Sequence, residues 1–167
     1  MFLSGSGVAA LTALLQTRST SSQVQLLAPK DLVWLDAESV VLPKAWQVDV
    51  REGAVAFREH GAITLRKAAA SAAVGRFKRF GNADFTPENL KMLRASLKSA
   101  LIKEGLFADE AEAMLNTWQH SWFAKPGLRV FYVVPRAWTD HFLPLTLSVP
   151  ARITRVIVGR IDLPATP

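Results

Sequence analysis

The chain has 167 residues, no cysteine and a formal charge of +6 spread through both halves. Half of the residues are hydrophobic and a fifth are charged, a composition that excludes disorder and supplies the core of one domain of ordinary size. The missing cysteine excludes disulfides, thiolate nucleophiles and cysteine-held zinc or iron–sulfur groups, and no apolar run approaches the ~18 residues of a transmembrane helix.

Residues 1–22 read as an N-terminal helix and linker, and residues 23–167 as a single domain. A short helix is expected over 8–17, ended by the polar run Thr17-Arg18-Ser19-Thr20-Ser21-Ser22 as a loop. No basic residue precedes the apolar stretch, as a secretory signal requires, so a first helix or a shortened start is the expectation. Short strands are expected at 24–27, 32–35 and 40–42. Trp46, Val48 and Val50 then alternate with Gln47 and Asp49, the period of a half-buried strand. Glu52-Gly53 turns the chain into a return strand, and with 63–65 the pattern predicts a small antiparallel meander over 45–65. The Ala-rich stretch 66–80 reads as a helix broken at Gly75, or as an irregular crossing.

Thr86, Pro87 and Glu88 have the character of an N-cap and a first helical turn. Leu90, Leu93, Leu97 and Leu101 follow on one face, and Gly105 ends the helix. A second helix starts at Asp109, with Glu112 completing an acidic capping box and Met114, Leu115, Trp118 and Trp122 on the apolar face. The pair predicts an αα-hairpin, about 86–104 and 109–123, packed on a sheet. Residues 128–134 are apolar on both faces apart from Arg129 and the Tyr132 hydroxyl, which predicts a central strand covered on both sides. Strands are also expected at 143–149, bent or at an edge because of Pro144 and Pro150, and at 153–163. Strands, a helix pair and more strands make an α+β domain with a mainly antiparallel sheet.

Chemistry-bearing motifs are sparse. Gly5-Ser6-Gly7-Val8-Ala9-Ala10 has the form of a dinucleotide turn, with Asp31 downstream, but lacks the preceding strand, so a flexible Gly-Ser start is the simpler reading. His60, His120 and His141 have no metal-ligand spacing, and neither a nucleophile elbow nor a phosphate-loop lysine is present. No cofactor and no metal are therefore expected. Gly75-Arg76-Phe77-Lys78-Arg79-Phe80 interleaves cations with aromatics, as single-stranded nucleic-acid binders do, but equally suits an amphipathic surface segment. The densest cluster is Arg136-Ala137-Trp138-Thr139-Asp140-His141. Arg136 and Asp140 would anchor a ligand and Trp138 would stack on it, with His141 beside them; the structural alternative pairs Arg136 with Asp140 and turns Trp138 to the core.

The residues Gly105-Leu106, Asp109-Glu110-Ala111, Met114, Thr117-Trp118, Ser121-Trp122-Phe123, Val133-Val134-Pro135-Arg136, Thr139-Asp140, Leu143-Pro144-Leu145 and Val158-Gly159-Arg160-Ile161 form an ordered signature over 97–163. In it the chain resembles a family of uncharacterised bacterial proteins, with a weaker likeness at Arg51-Glu52-Gly53-Ala54-Val55-Ala56-Phe57-Arg58. The resemblance implies a periplasmic or secreted location, since many members carry secretion signals. It implies no reaction, ligand or catalytic residue. The expected function is a non-enzymatic accessory or interaction domain of the bacterial cell envelope, with another protein as partner. A hydrolase or transferase using Asp140 and His141 with Arg136, and a basic nucleic-acid or membrane-surface binder using 76–80, are the alternatives, and a cytoplasmic location is the alternative address.

Overall fold

The computed structural model describes residues 16–19, 23–27, 38–66 and 73–163, with side chains over 38–66 and 78–163. It is an α+β fold whose sheets are all antiparallel. Its spine is one long β-ribbon. Strands β3 (Ser39–Leu42) and β4 (Ala45–Arg51) run outward, and β5 (Ala54–His60) and β6 (Ile63–Arg66) return against them. The same register carries from Arg51 opposite Ala54 to Ser39 opposite Arg66. Between the two halves the ladder breaks at Pro43, which has no N–H to give, opposite Gly61-Ala62. At the far end Glu52 and Gly53 both have positive φ, 31° and 84°, as a two-residue hairpin turn matched to strand twist requires. The meander expected over 45–65 is thus corrected. Residues 63–66 do not lie beside β5 but pair with β3, because the register of the β4–β5 hairpin continues past the break.

The ribbon's outer half joins β8 (Gly127–Val133) and β9 (Val158–Asp162) in a four-stranded sheet of order β5-β4-β8-β9. Alternation along β4 and β8 divides its residues between two buried layers. One face carries Trp46, Val48, Val50, Val55, Phe131 and Val133 and receives the helices. The other carries Ala45, Ala56, Val130, Tyr132 and Ile161 and packs against Leu42, Leu65, Phe80 and Trp138. β8 is therefore the central, doubly covered strand that its composition predicts, with Arg129 and Tyr132 fully buried. On β9, Gly159 lies opposite Tyr132, and a Cβ there would stand 2.2 Å from the Tyr132 Cζ. Glycine at this position lets the edge strand close over the ring.

The αα-hairpin forms on the sheet, with shifted starts. Helix α1 (Asn89–Lys103) begins three residues after Thr86. Thr86 is instead bridged to Val55, while the Asn89 Nδ2 donates to the carbonyls of Val55 and Asp84. Leu93, Leu97 and Leu101 are buried, and the Trp46 Nε1 donates to Ser96 Oγ at 2.8 Å, tying helix to sheet. Helix α2 (Ala108–Thr117) is capped two residues earlier than expected: Phe107 N–H donates to the Glu110 carboxylate. Glu112 is drawn instead to Arg94 and Lys98 on α1, which cross-links the pair. One turn of π-helix, His120–Ala124, follows and sends Trp122 and Phe123 inward, whereas Trp118 is half exposed and stacked on Trp122 rather than part of the core face.

Further expectations are overturned. β1 (Gln16–Ser19) pairs with β2 (Gln23–Leu27), so a strand replaces the loop expected at Thr17 to Ser19. β7 (Ala73–Lys78) pairs with the other side of β2, giving a sheet of order β1-β2-β7 in place of a broken helix. Residues 143–149 are not a strand; Leu145, Leu147 and Val149 stand exposed on irregular chain, and only the end of 153–163 is strand. Residues 136–142 form helix α3 (Arg136–Phe142). The helix expected over 8–17 gives way to strand at Gln16-Thr17; its residues 8–15, the Gly5 to Ala10 turn, Asp31 and the strand at 32–35 lie outside the described residues.

Candidate interaction surface

The cluster at 136–141 does not assemble as a single pocket. Pro135 caps α3, and the helical period then separates its residues. Trp138 is fully buried in the layer beneath the sheet, so its ring is not offered to a ligand. Arg136, Asp140 and His141 are exposed on the outer face. The Arg136 Nε lies 3.4 Å from the Asp140 carboxylate, one helical turn away, and its Nη2 donates to the Ile153 carbonyl. The other Asp140 oxygen takes a hydrogen bond from Arg155, whose second nitrogen caps the Leu143 carbonyl. The Arg155 hydrogen bond, with Arg136 adding to it, holds the Asp140 carboxyl below its ordinary range. A carboxylate gripped by two guanidiniums is a poor proton acceptor; here it pins the crossing of 151–157 over α3. The His141 ring packs edge-on to Phe142.

The segment at 76–80 is likewise divided. The Phe80 ring is buried against the sheet with the Arg58 guanidinium over it, 4.3 Å from the centroid. The Lys78 carbonyl accepts from Gln47 and Arg58. Lys78 is exposed and Arg79 half-buried.

A different set of residues converges at β9. The Arg129 side chain enters the helix-facing layer from β8 and meets the end of the π-turn. Its Nη1 donates to the carbonyls of Ser121 and Trp122, at 2.8 and 3.1 Å, and its Nη2 to Lys125 at 2.6 Å. These carbonyls have no helical N–H left to pair with, so the buried cation replaces the missing turn. Burial, and to a lesser degree Arg160, disfavour the Arg129 charge, while Asp162 and Asp49 favour it. On β9 itself Arg160 donates to Ser121 and, through Nε and Nη2, to Asp162 two residues on. The edge strand thus carries a cation and an anion side by side on one face.

The main chain of β9 completes the surface. Leu163 N–H donates to Leu128, and Val134 N–H to Ile157. In an antiparallel ladder this alternation means that Gly159 and Ile161 bond inward to β8, while the N–H and C=O of Val158, Arg160 and Asp162 point away from the sheet. Among the described residues no strand pairs with that outer side. The opposite edge differs: Val55 on β5 is engaged by Thr86 and Asn89. Natural sheets commonly block such edges, and an open one invites a further strand.

Sequence reasoning missed this surface. The half-buried pattern of 153–163 is visible, and so are Arg160 and Asp162 as its polar positions. Which strand ends the sheet, and which main-chain groups face out, follow from the pairing alone. Among the described residues no three His, Asp or Glu side chains gather as metal ligands, and no helix is long and apolar enough to cross a membrane. Comparison with protein-family models, curated proteins and solved structures finds no match to this chain.

Proposed function

We propose that this is a non-enzymatic accessory or interaction domain of the bacterial cell envelope that adds an extended partner segment to its sheet along β9. The carrying observation is the outward main chain of Val158, Arg160 and Asp162. Strand addition of this kind takes its affinity from main-chain hydrogen bonds and its specificity from alternate side chains. Here the alternate positions Arg160 and Asp162 call for an acid and a base on the partner. The envelope location is supported by the resemblance over 97–163. The hydrolase or transferase reading has less behind it, since Asp140 is committed to two arginines. Nucleic-acid or membrane-surface binding through 76–80 has less as well, since Phe80 is buried.

Selection of random peptides on the immobilised protein tests the reading. Enriched extended sequences should lose binding to an Arg160→Pro variant, which cannot offer the outward N–H, and keep it in Val41→Ser, a change at an exposed residue elsewhere. No enrichment over the empty support, or binding indifferent to Arg160→Pro in a folded variant, would count against it. A reporter fusion to the natural gene product tests location: export is expected, and retention in the cytoplasm contradicts it.

A further inference from the structure

We infer that the segment added along β9 is β9 of a second copy of this chain, antiparallel and centred on Ile161; this rests on the strand-addition reading above. Outward main-chain groups lie on Val158, Arg160 and Asp162, so self-pairing across a two-fold axis must match these positions with one another. Charge selects among the registers. Centring on Arg160 sets the two Arg160 side chains opposite each other, and like charges directly opposite are unfavourable. Centring on Gly159 sets Arg160 against Val158 and leaves Asp162 beyond the strand. Centring on Ile161 sets Arg160 opposite Asp162 of the second copy, and Asp162 opposite Arg160 of the second copy. In this register both pairs exchange main-chain hydrogen bonds and both carry opposite charges. Each Asp162 carboxylate, 61% exposed and already beside its own Arg160, has room to accept from a second guanidinium. The two sheets then run on as one. β9 spans only Val158–Asp162, so the contact is short, below the ~1,200 Å² of a standard interface, and the dimer is a weak one.

Sedimentation should show an average mass rising from 18.3 kDa towards twice that value between micromolar and millimolar protein. High salt should weaken it, because the ion pairs are solvent-exposed. Arg160→Glu puts acid opposite acid twice and should weaken the dimer by about tenfold or more. Because Arg160 also holds Ser121, circular dichroism must show that variant folded, and a second variant tests the register independently. The chain has no cysteine, so Ile161→Cys introduces a single thiol, which this register places opposite its own copy at a disulfide-compatible separation. It should cross-link well above an exposed control, Ser148→Cys. Equal cross-linking of the two, or a monomer at every concentration, overturns the second copy as partner. If the monomer still binds the selected peptides, the strand-addition reading stands without self-pairing; if it binds none, both fall.

Discussion

Arg129, Gly159 and Glu52 each occupy a position where the backbone dictates the side chain. The Arg129 guanidinium spans three carbonyls at once, which a compact ammonium does not do. Arg129→Lys should therefore destabilise nearly as much as Arg129→Met, by about 2–4 kcal/mol in urea denaturation. Full rescue by lysine would show that charge alone matters. At Gly159 an added methyl meets a fully buried tyrosine ring, so Gly159→Ala should cost about 1–3 kcal/mol, read from the same melts. An unchanged midpoint would mean that β9 yields easily. Glu52 holds a φ of 31°, which asparagine tolerates better, so Glu52→Asn should stabilise by a few tenths of a kcal/mol to ~1 kcal/mol.

Among helices and strands, strong periodicity is legible in the sequence and pairing is not. The Leu93, Leu97 and Leu101 stripe on α1 and the two-sided burial of β8 follow directly from residue spacing. Leu97→Ala should accordingly cost ~2–5 kcal/mol, while Met92→Ala, half exposed on the other face, should stay within ~0.5 kcal/mol. Comparable losses at both sites would place the helix face wrongly. The Ala-rich stretch before Phe80 favours a helix locally, yet pairing with β2 makes β7 of it, a case of tertiary context overriding propensity. Leu143, Leu145, Leu147 and Val149 alternate like a strand, but Pro144 and Pro150 flank a segment that the structure leaves without a ladder. The cluster at 136–141 was readable as residues but not as geometry, since only the helical turn of α3 separates buried Trp138 from exposed Arg136, Asp140 and His141.

For the whole molecule, charge placement sets the response to acid. Burial, with Arg58 nearby, lowers the His60 pKa; hydrogen bonds from Lys44 and Ser96 lower that of Glu59, and Arg155 that of Asp140. A depressed pKa in the folded state contributes stability above the unfolded value and loses it as pH falls through the folded one. Urea midpoints should thus begin to fall below about pH 6.5, the ordinary histidine value, and fall further below about 4 as the carboxylates protonate. A His60→Asn variant should lack the upper step; a midpoint that rises between pH 7 and 5.5 would contradict the assignment.

Among the described residues the outer edge of β9 carries no further strand, and amide hydrogen exchange tests this residue by residue. In dilute protein the Gly159 and Ile161 amides, bonded to β8, should exchange slowly, while those of Arg160 and Asp162 should exchange at the rate of an unprotected chain. Protection of Arg160 and Asp162 equal to that of their neighbours at every dilution would mean that the chain already covers β9 itself, and the interaction surface would not exist.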